Sequence, residues 1–152
     1  YSIYMEIPIP KLKAVIRYFC TNTNPMFLGK VKLMKLFYFL DFLHVKRYGT
    51  PVTYDTYIHL EHGQIPSNIL NLINSVADNE EEAILSDTVI VERPIGTNMQ
   101  KIKSINSFDE NDKRFFSERE MMILEEVCRR FGNETTKTIE YASHKEAPWR
   151  LT

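Results

Sequence analysis

Apolar and polar positions along this chain fall into several blocks, and one block dominates. From Leu28 to Gly49 the sequence is mostly apolar, contains no proline, and closes on a glycine that can take positive φ. A run this long exceeds a strand and predicts a helix buried on most sides. Lys30, Lys32, Lys35, Asp41, His44, Lys46 and Arg47 interrupt it, which excludes a membrane-spanning segment. On a wheel of ~100° per residue, Lys32, Lys35 and Lys46 share one narrow sector with Phe39 and Phe42. That sector predicts a solvated edge whose lysine stems cover two phenyl rings; the alternative is a partner-binding strip. Asp41 and His44 fall on the apolar side and read as polar anchors of the core. A carboxylate placed there must find donors or be protonated. Tyr38, His44 or another segment would supply its partners, and a ligand site is the alternative.

The other blocks are shorter. Residues 1–9 read as an extended arm ending at Pro8 and Pro10, and Pro10 suits the first turn of a helix. Leu12, Val15, Ile16, Phe19 and Cys20 follow helical spacing until a loop at Thr21–Pro25. After Gly49 the stretch from Val52 to Leu60 favours extended structure. His62 to Pro66 reads as a turn into a helix marked by Ile69, Leu72, Ile73 and Val76. An acidic link at Asp78–Glu82 precedes two strands, Thr88–Glu92 and Met99–Ile105, joined by a loop at Pro94–Asn98. Asp109–Lys113 reads as polar loop.

Ser117 and Glu120 then form a capping box, in which each side chain takes up a free backbone donor of the other. The helix behind it carries Met121, Leu124, Val127, Cys128 and Phe131 inward and stops at Gly132. A last short helix is expected over about Glu134–Ser143, with Ile139 and Ala142 inward. The predicted architecture is one compact domain over 1–152, mostly helical in the α+β class, with a small β-hairpin element. Tyr1 is not a methionine and the chain stops soon after Trp149, as expected of a sequence trimmed at both ends.

Composition narrows the chemistry. The net charge of −1 gives no overall field that would recruit nucleic acid or an anionic membrane. Cys20 and Cys128 lie in apolar helical patterns and read as buried free thiols in a reducing compartment, with a disulfide between them as the alternative. No phosphate-cradling glycine loop, nucleophile elbow or Cys-x-x-Cys pair occurs. His59 and His62 are spaced as a His-x-x-His pair, but along a strand they point to opposite faces, so no metal and no cofactor is expected. Ser143 and His144 are adjacent, which makes no catalytic dyad; a cap and a helix C-terminal contact for the imidazole of His144 is the expected role. Trp149, approached through Pro148, is expected to anchor the tail on the domain. An enzyme is not expected.

Three blocks together resemble the Panacea domain of SocA-like antitoxins. Leu33-Met34-Lys35-Leu36-Phe37-Tyr38-Phe39-Leu40-Asp41 looks like the family's Leu-x-Lys-Leu-Leu-Tyr helix. Tyr57 followed by Gly63 looks like its tyrosine and Tyr-Gly-Pro before a helix, although here His62-Gly63-Gln64-Ile65-Pro66 displaces the proline. The capping box and the ending Ser143-His144-x-x-x-Pro148-Trp149 look like its Ser-His … Pro-Trp close. The resemblance covers roughly residues 10–150. It implies a helical fold with a small β element and a cytoplasmic role in a bacterial or phage toxin–antitoxin system. There the domain binds and neutralises a toxin protein, in one branch as an adaptor that delivers it to a protease. On that reading the contact surface comprises Lys35, Phe39, Phe42 and Lys46 with the turn at His62 and Gln64. The competing expectation is a nucleic-acid-binding transcriptional regulator using the Lys30–Lys46 helix, against which the balanced charge argues.

Overall fold

A computed structural model of the protein describes residues 7–61 and 63–145, without the side chains of Ser143 and His144. The first helix, α1 (Ile9–Asn22), holds Pro10 in its first turn as the sequence predicts, and Ile7, in the expected arm, is already buried. The rest of the expected arm, residues 1–6, lies outside the described residues. The helix also runs into the Thr-Asn stretch expected to be loop. The Asn22 amide and the Thr23 hydroxyl donate to the carbonyls of Tyr18 and Phe19, satisfying acceptors that the ending helix leaves open.

The long helix α2 (Lys30–Tyr48) is buried without interruption from Lys32 to His44. No side chain caps its start at Gly29. A strand holds it instead: the Lys30 N–H donates to the Gln100 carbonyl, the Ile102 N–H donates to Leu28, and Gly29 bridges Lys101. At its other end Gly49 takes φ +84° and its N–H closes on Val45.

Around α2 the chain lays down a hairpin, β1 (Tyr57–Leu60) and β2 (Gly63–Pro66), then α3 (Ser67–Ala77), a second hairpin, β3 (Val89–Glu92) and β4 (Lys101–Ser104), and three further helices. Those are α4 (Glu110–Lys113), α5 (Glu118–Phe131) and α6 (Thr136–Lys145). Both hairpins are antiparallel, with Ile58 opposite Ile65 and Val91 opposite Ile102. The helix α2 packs against α5, α6 and β2, so the core wraps it on several sides. Among the described residues the protein is mostly helical, as the hydrophobic pattern predicts, with two small strand pairs where that pattern predicts one hairpin.

Three local expectations are corrected. Residues 63–66 form a strand rather than a turn; Gly63, at φ +98°, lets the chain double back and pair with 57–60. Residues 110–113 are helical because Asp109 and Asp112 form a capping box of their own, and Asp112 is held by both ends of the Arg17 guanidinium. In α5, Ile123 is fully buried while Met121 is only half-buried, so the inward stripe is Ile123, Leu124, Val127 and Phe131. The Ser117–Glu120 capping box is formed as read, and Glu120 also pairs with Lys11 at 2.7 Å.

Gly132 ends α5 for a different reason from Gly49. Its φ is −58°, which any residue adopts, but a Cβ there would lie 2.5 Å from the Cys128 carbonyl oxygen and 3.1 Å from that of Asn22. A Cβ on Gly49 would meet nothing within 4 Å. Gly49→Ala is therefore expected to lose about 1 kcal/mol through backbone strain alone. Gly132→Ala should lose about 2 kcal/mol or more, because two backbone segments must separate. Urea unfolding of the two variants checks the order.

Candidate functional site: the anchored loop after the central helix

The apolar face of α2 carries one carboxylate, and the chain that leaves the helix returns to it. Asp41 is fully buried. Its Oδ1 accepts the N–H groups of Val52 and Thr53 at 2.7 and 2.9 Å. Its Oδ2 accepts the Thr53 hydroxyl and the Tyr57 hydroxyl, the latter at 2.8 Å. One carboxylate thus fixes three residues of the connection between α2 and the first hairpin. Three residues upstream of Val52, Gly49 makes the reversal that sends the chain back, and the His44 Nδ1–H donates to the Thr50 carbonyl to hold it.

A second carboxylate continues the chain of bonds. Pro66 precedes α3 and offers no side-chain cap. Asp55 supplies one from a distance: it accepts the Asn68 and Ile69 N–H groups at 3.2 and 2.9 Å and the Asn68 amide at 2.9 Å. Its own N–H donates to the Thr53 hydroxyl oxygen. The loop from Val52 to Asp55 is therefore bonded to α2 on one side and to the start of α3 on the other.

Burial pushes the Asp41 carboxyl above its ordinary range, and the four donors pull it back only in part. The geometry accommodates the proton. A protonated Oδ2 can donate to the Tyr57 hydroxyl, which can pass its own hydrogen to the Phe37 carbonyl 3.1 Å away. Burial and the neighbouring Asp41 carboxylate push the Tyr57 phenol up as well, so it stays a donor.

The lysine strip expected on α2 is not a solvated edge. Lys32 and Lys35 are 0% exposed, as is Phe39, and Phe42 is 5% exposed. The strip faces α5, α6 and β2, so its cations and rings serve packing. The Lys32 ammonium donates to the carbonyls of Gly132 and Glu134, where the end of α5 needs donors for its last carbonyls. The Lys35 ammonium donates to the Gln64 carbonyl on β2, and burial lowers its pKa to about 8. Phe39 packs edge-on to Tyr38 and close to Phe131. Lys35, Phe39 and Phe42 are thereby withdrawn from the expected contact surface. Lys46 remains exposed, its ammonium 5.8 Å above the Phe42 ring, and Gln64 is half-buried opposite His59. The same burial removes the basic strip on which a phosphate-tracking role for the Lys30–Lys46 helix depended: Lys30 is bonded to Asn74 and Arg47 to Glu126.

The remaining expectations fall out unevenly. His62, the side chain of His144, Pro148 and Trp149 lie outside the described residues. Cys20 and Cys128 are free and half-buried, and burial pushes their thiols up to about 11 and about 12. Among the described residues no group of three or more His, Cys, Asp or Glu is placed to hold a metal ion. No described helix is long and apolar enough to cross a membrane. Sequence reasoning missed Thr53 and Asp55. The available signal was a Thr-x-Asp pair beside a buried carboxylate and ahead of an uncapped helix.

The surface beside this network is apolar. Ile58 and Leu60 are exposed on β1, and Leu60 borders a hollow of about 180 Å³ lined by Val31, Met34, Ile65 and Leu70.

Asp41→Ala should lose about 3 kcal/mol or more, because it leaves two N–H groups and two hydroxyls buried without their acceptor. Asp41→Asn keeps an acceptor for Val52 and Thr53 and should lose roughly half as much. The raised pKa sets the sign with pH. The folded state holds the proton more tightly, so this group's contribution is greatest below about pH 4 and is lost as pH rises through the folded pKa. Urea denaturation against pH checks this: the difference between wild type and Asp41→Asn should narrow as pH rises from 4.

The family model described as "Antitoxin SocA-like, Panacea domain" matches residues 33–150. Neither the curated proteins nor the solved structures compared gave a match. The matched span begins one turn into α2 and takes in Asp41, the anchored loop, both hairpins and the helices α3 to α6. A match over that much of the fold makes this chain a member of the SocA-like antitoxin family, carrying its Panacea domain.

Proposed function

We propose that this chain is an antitoxin that neutralises a cognate toxin protein by direct, non-catalytic binding in the cytoplasm of a bacterium or in a phage-infected cell. Membership of the SocA-like antitoxin family carries the reading. The geometry is compatible with it in two ways. Several polar groups with perturbed protonation, among them Asp41, Tyr57, Lys35 and Lys32, are engaged in holding elements together. Apolar side chains are exposed at the first hairpin, where Ile58 and Leu60 stand on β1 beside Tyr54, and others, such as Ile90 and Ile95, are exposed on and after β3. Contact surfaces between proteins concentrate such groups around a few anchors. Delivery of the toxin to a protease is the further step we propose for the bound state.

The test is co-expression with the protein encoded by the adjoining reading frame. A stable complex on purification and restored growth are expected, together with a shortened toxin half-life in cells whose proteases are intact. Absence of both complex and rescue contradicts the antitoxin reading. A complex whose toxin persists unchanged contradicts the protease step alone.

A further inference from the structure

Among the described residues, three that are not glycine have positive φ: Tyr54 at +56°, Asn79 at +55° and Glu82 at +55°. In this region the Cβ of any residue crowds the following carbonyl; asparagine offsets that cost with local bonds from its short polar side chain, and a bulky aromatic residue does not. Tyr54 lies in the middle of the anchored loop. On one side the N–H and hydroxyl of Thr53 are bonded to Asp41. On the other the carboxylate of Asp55 is bonded to the start of α3. The backbone cannot relax without breaking one of these sets, so the strain is held in place.

The fold gains little visible return for it. Tyr54 is 44% exposed and is not among the hydrophobic residues packed against the core. Strain that persists with the side chain turned to solvent is a feature of sites where a side chain must be presented in one orientation. Tyrosine suits such a role: it offers a large, stiff contact area with a polar tip, and it recurs among the residues that dominate binding energy. Holding it rigidly beforehand lowers the entropy lost on binding.

We infer that Tyr54 is a pre-positioned anchor that inserts into an apolar slot on the partner protein, with a polar group of the partner at the end of the slot for the phenol hydroxyl. The inference rests on the toxin-binding reading and names the contact residue within it. A ring that projects from a loop enters a partner rather than enclosing a small ligand. The partner is a protein rather than a nucleic acid, because the chain from Gly49 to Ile58 carries no lysine or arginine to meet phosphate. The exposed Ile58 and Leu60 of the following strand extend the contact.

The test uses the full chain and the protein encoded by the adjoining reading frame, with affinity and urea stability measured on the same samples. Tyr54→Asn suits the left-handed backbone and removes the ring. It should raise the urea midpoint and weaken binding by at least about tenfold. Ile95→Asn, at a fully exposed apolar residue in the loop between β3 and β4, should leave binding within about twofold. A lower urea midpoint for Tyr54→Asn overturns the inference, since the ring would then be packing. So does unchanged binding by that variant, or an equal loss with Ile95→Asn. If the unmodified chain binds nothing, the antitoxin reading itself fails, and the anchor with it; a wild-type complex that Tyr54→Asn leaves intact removes the anchor alone.

Discussion

A carboxylate without water is costly unless donors surround it, and that constraint at Asp41 organises much of this structure. The helix that carries it is apolar enough to sit inside the fold, so Asp41 cannot turn to solvent. The chain solves the problem by bending back at Gly49 and placing Val52, Thr53 and Tyr57 around the carboxylate. Once those residues are fixed, Asp55 is in place to cap α3, and the hairpin between them lies against α2. The same economy appears on the opposite sector of α2. Lys32 finds its partners in the carbonyls that end α5 and begin the approach to α6. Buried polar groups on one helix thus set the positions of several elements, which apolar packing alone does not specify so tightly.

The parts that could be read in the sequence are those whose signal is periodic or local. The helix from Lys30 to Tyr48, the stop at Gly49, the capping box at Ser117 and the β3–β4 pair follow from hydrophobic spacing and turn chemistry. Asp41 as an internal polar residue was equally visible. Its partners were not, because Thr53 and Tyr57 meet it only after the chain has reversed. The lysine strip misled for a related reason. A wheel separates apolar from charged positions, yet it cannot show that two other helices and a strand close over the charged side and supply carbonyls to it. Residues 110–113 were missed because their capping box uses aspartate in place of the longer glutamate that the pattern looks for.

Membership of the antitoxin family gives this architecture its context, and the burial pattern changes where contact with a partner should be sought. Phe39 and Phe42 are core, so the recognisable helix of the family is here a scaffold rather than a surface. The loop it anchors buries Val52, Thr53 and Asp55 and leaves Tyr54 exposed, in a conformation that the bonds of Thr53 and Asp55 enforce. Scaffold and surface are then two ends of one arrangement, because the interactions that bury Asp41 also fix the direction in which the loop points.

Amide hydrogen exchange at Val52 and Thr53 under native conditions tests this most directly. If the Asp41 network is the organising contact, both amides exchange only through global unfolding and fall in the same slow class as the buried amides of α2. Exchange of these two amides through local opening, much faster than α2, would show that the loop is independent of the core and would contradict the account.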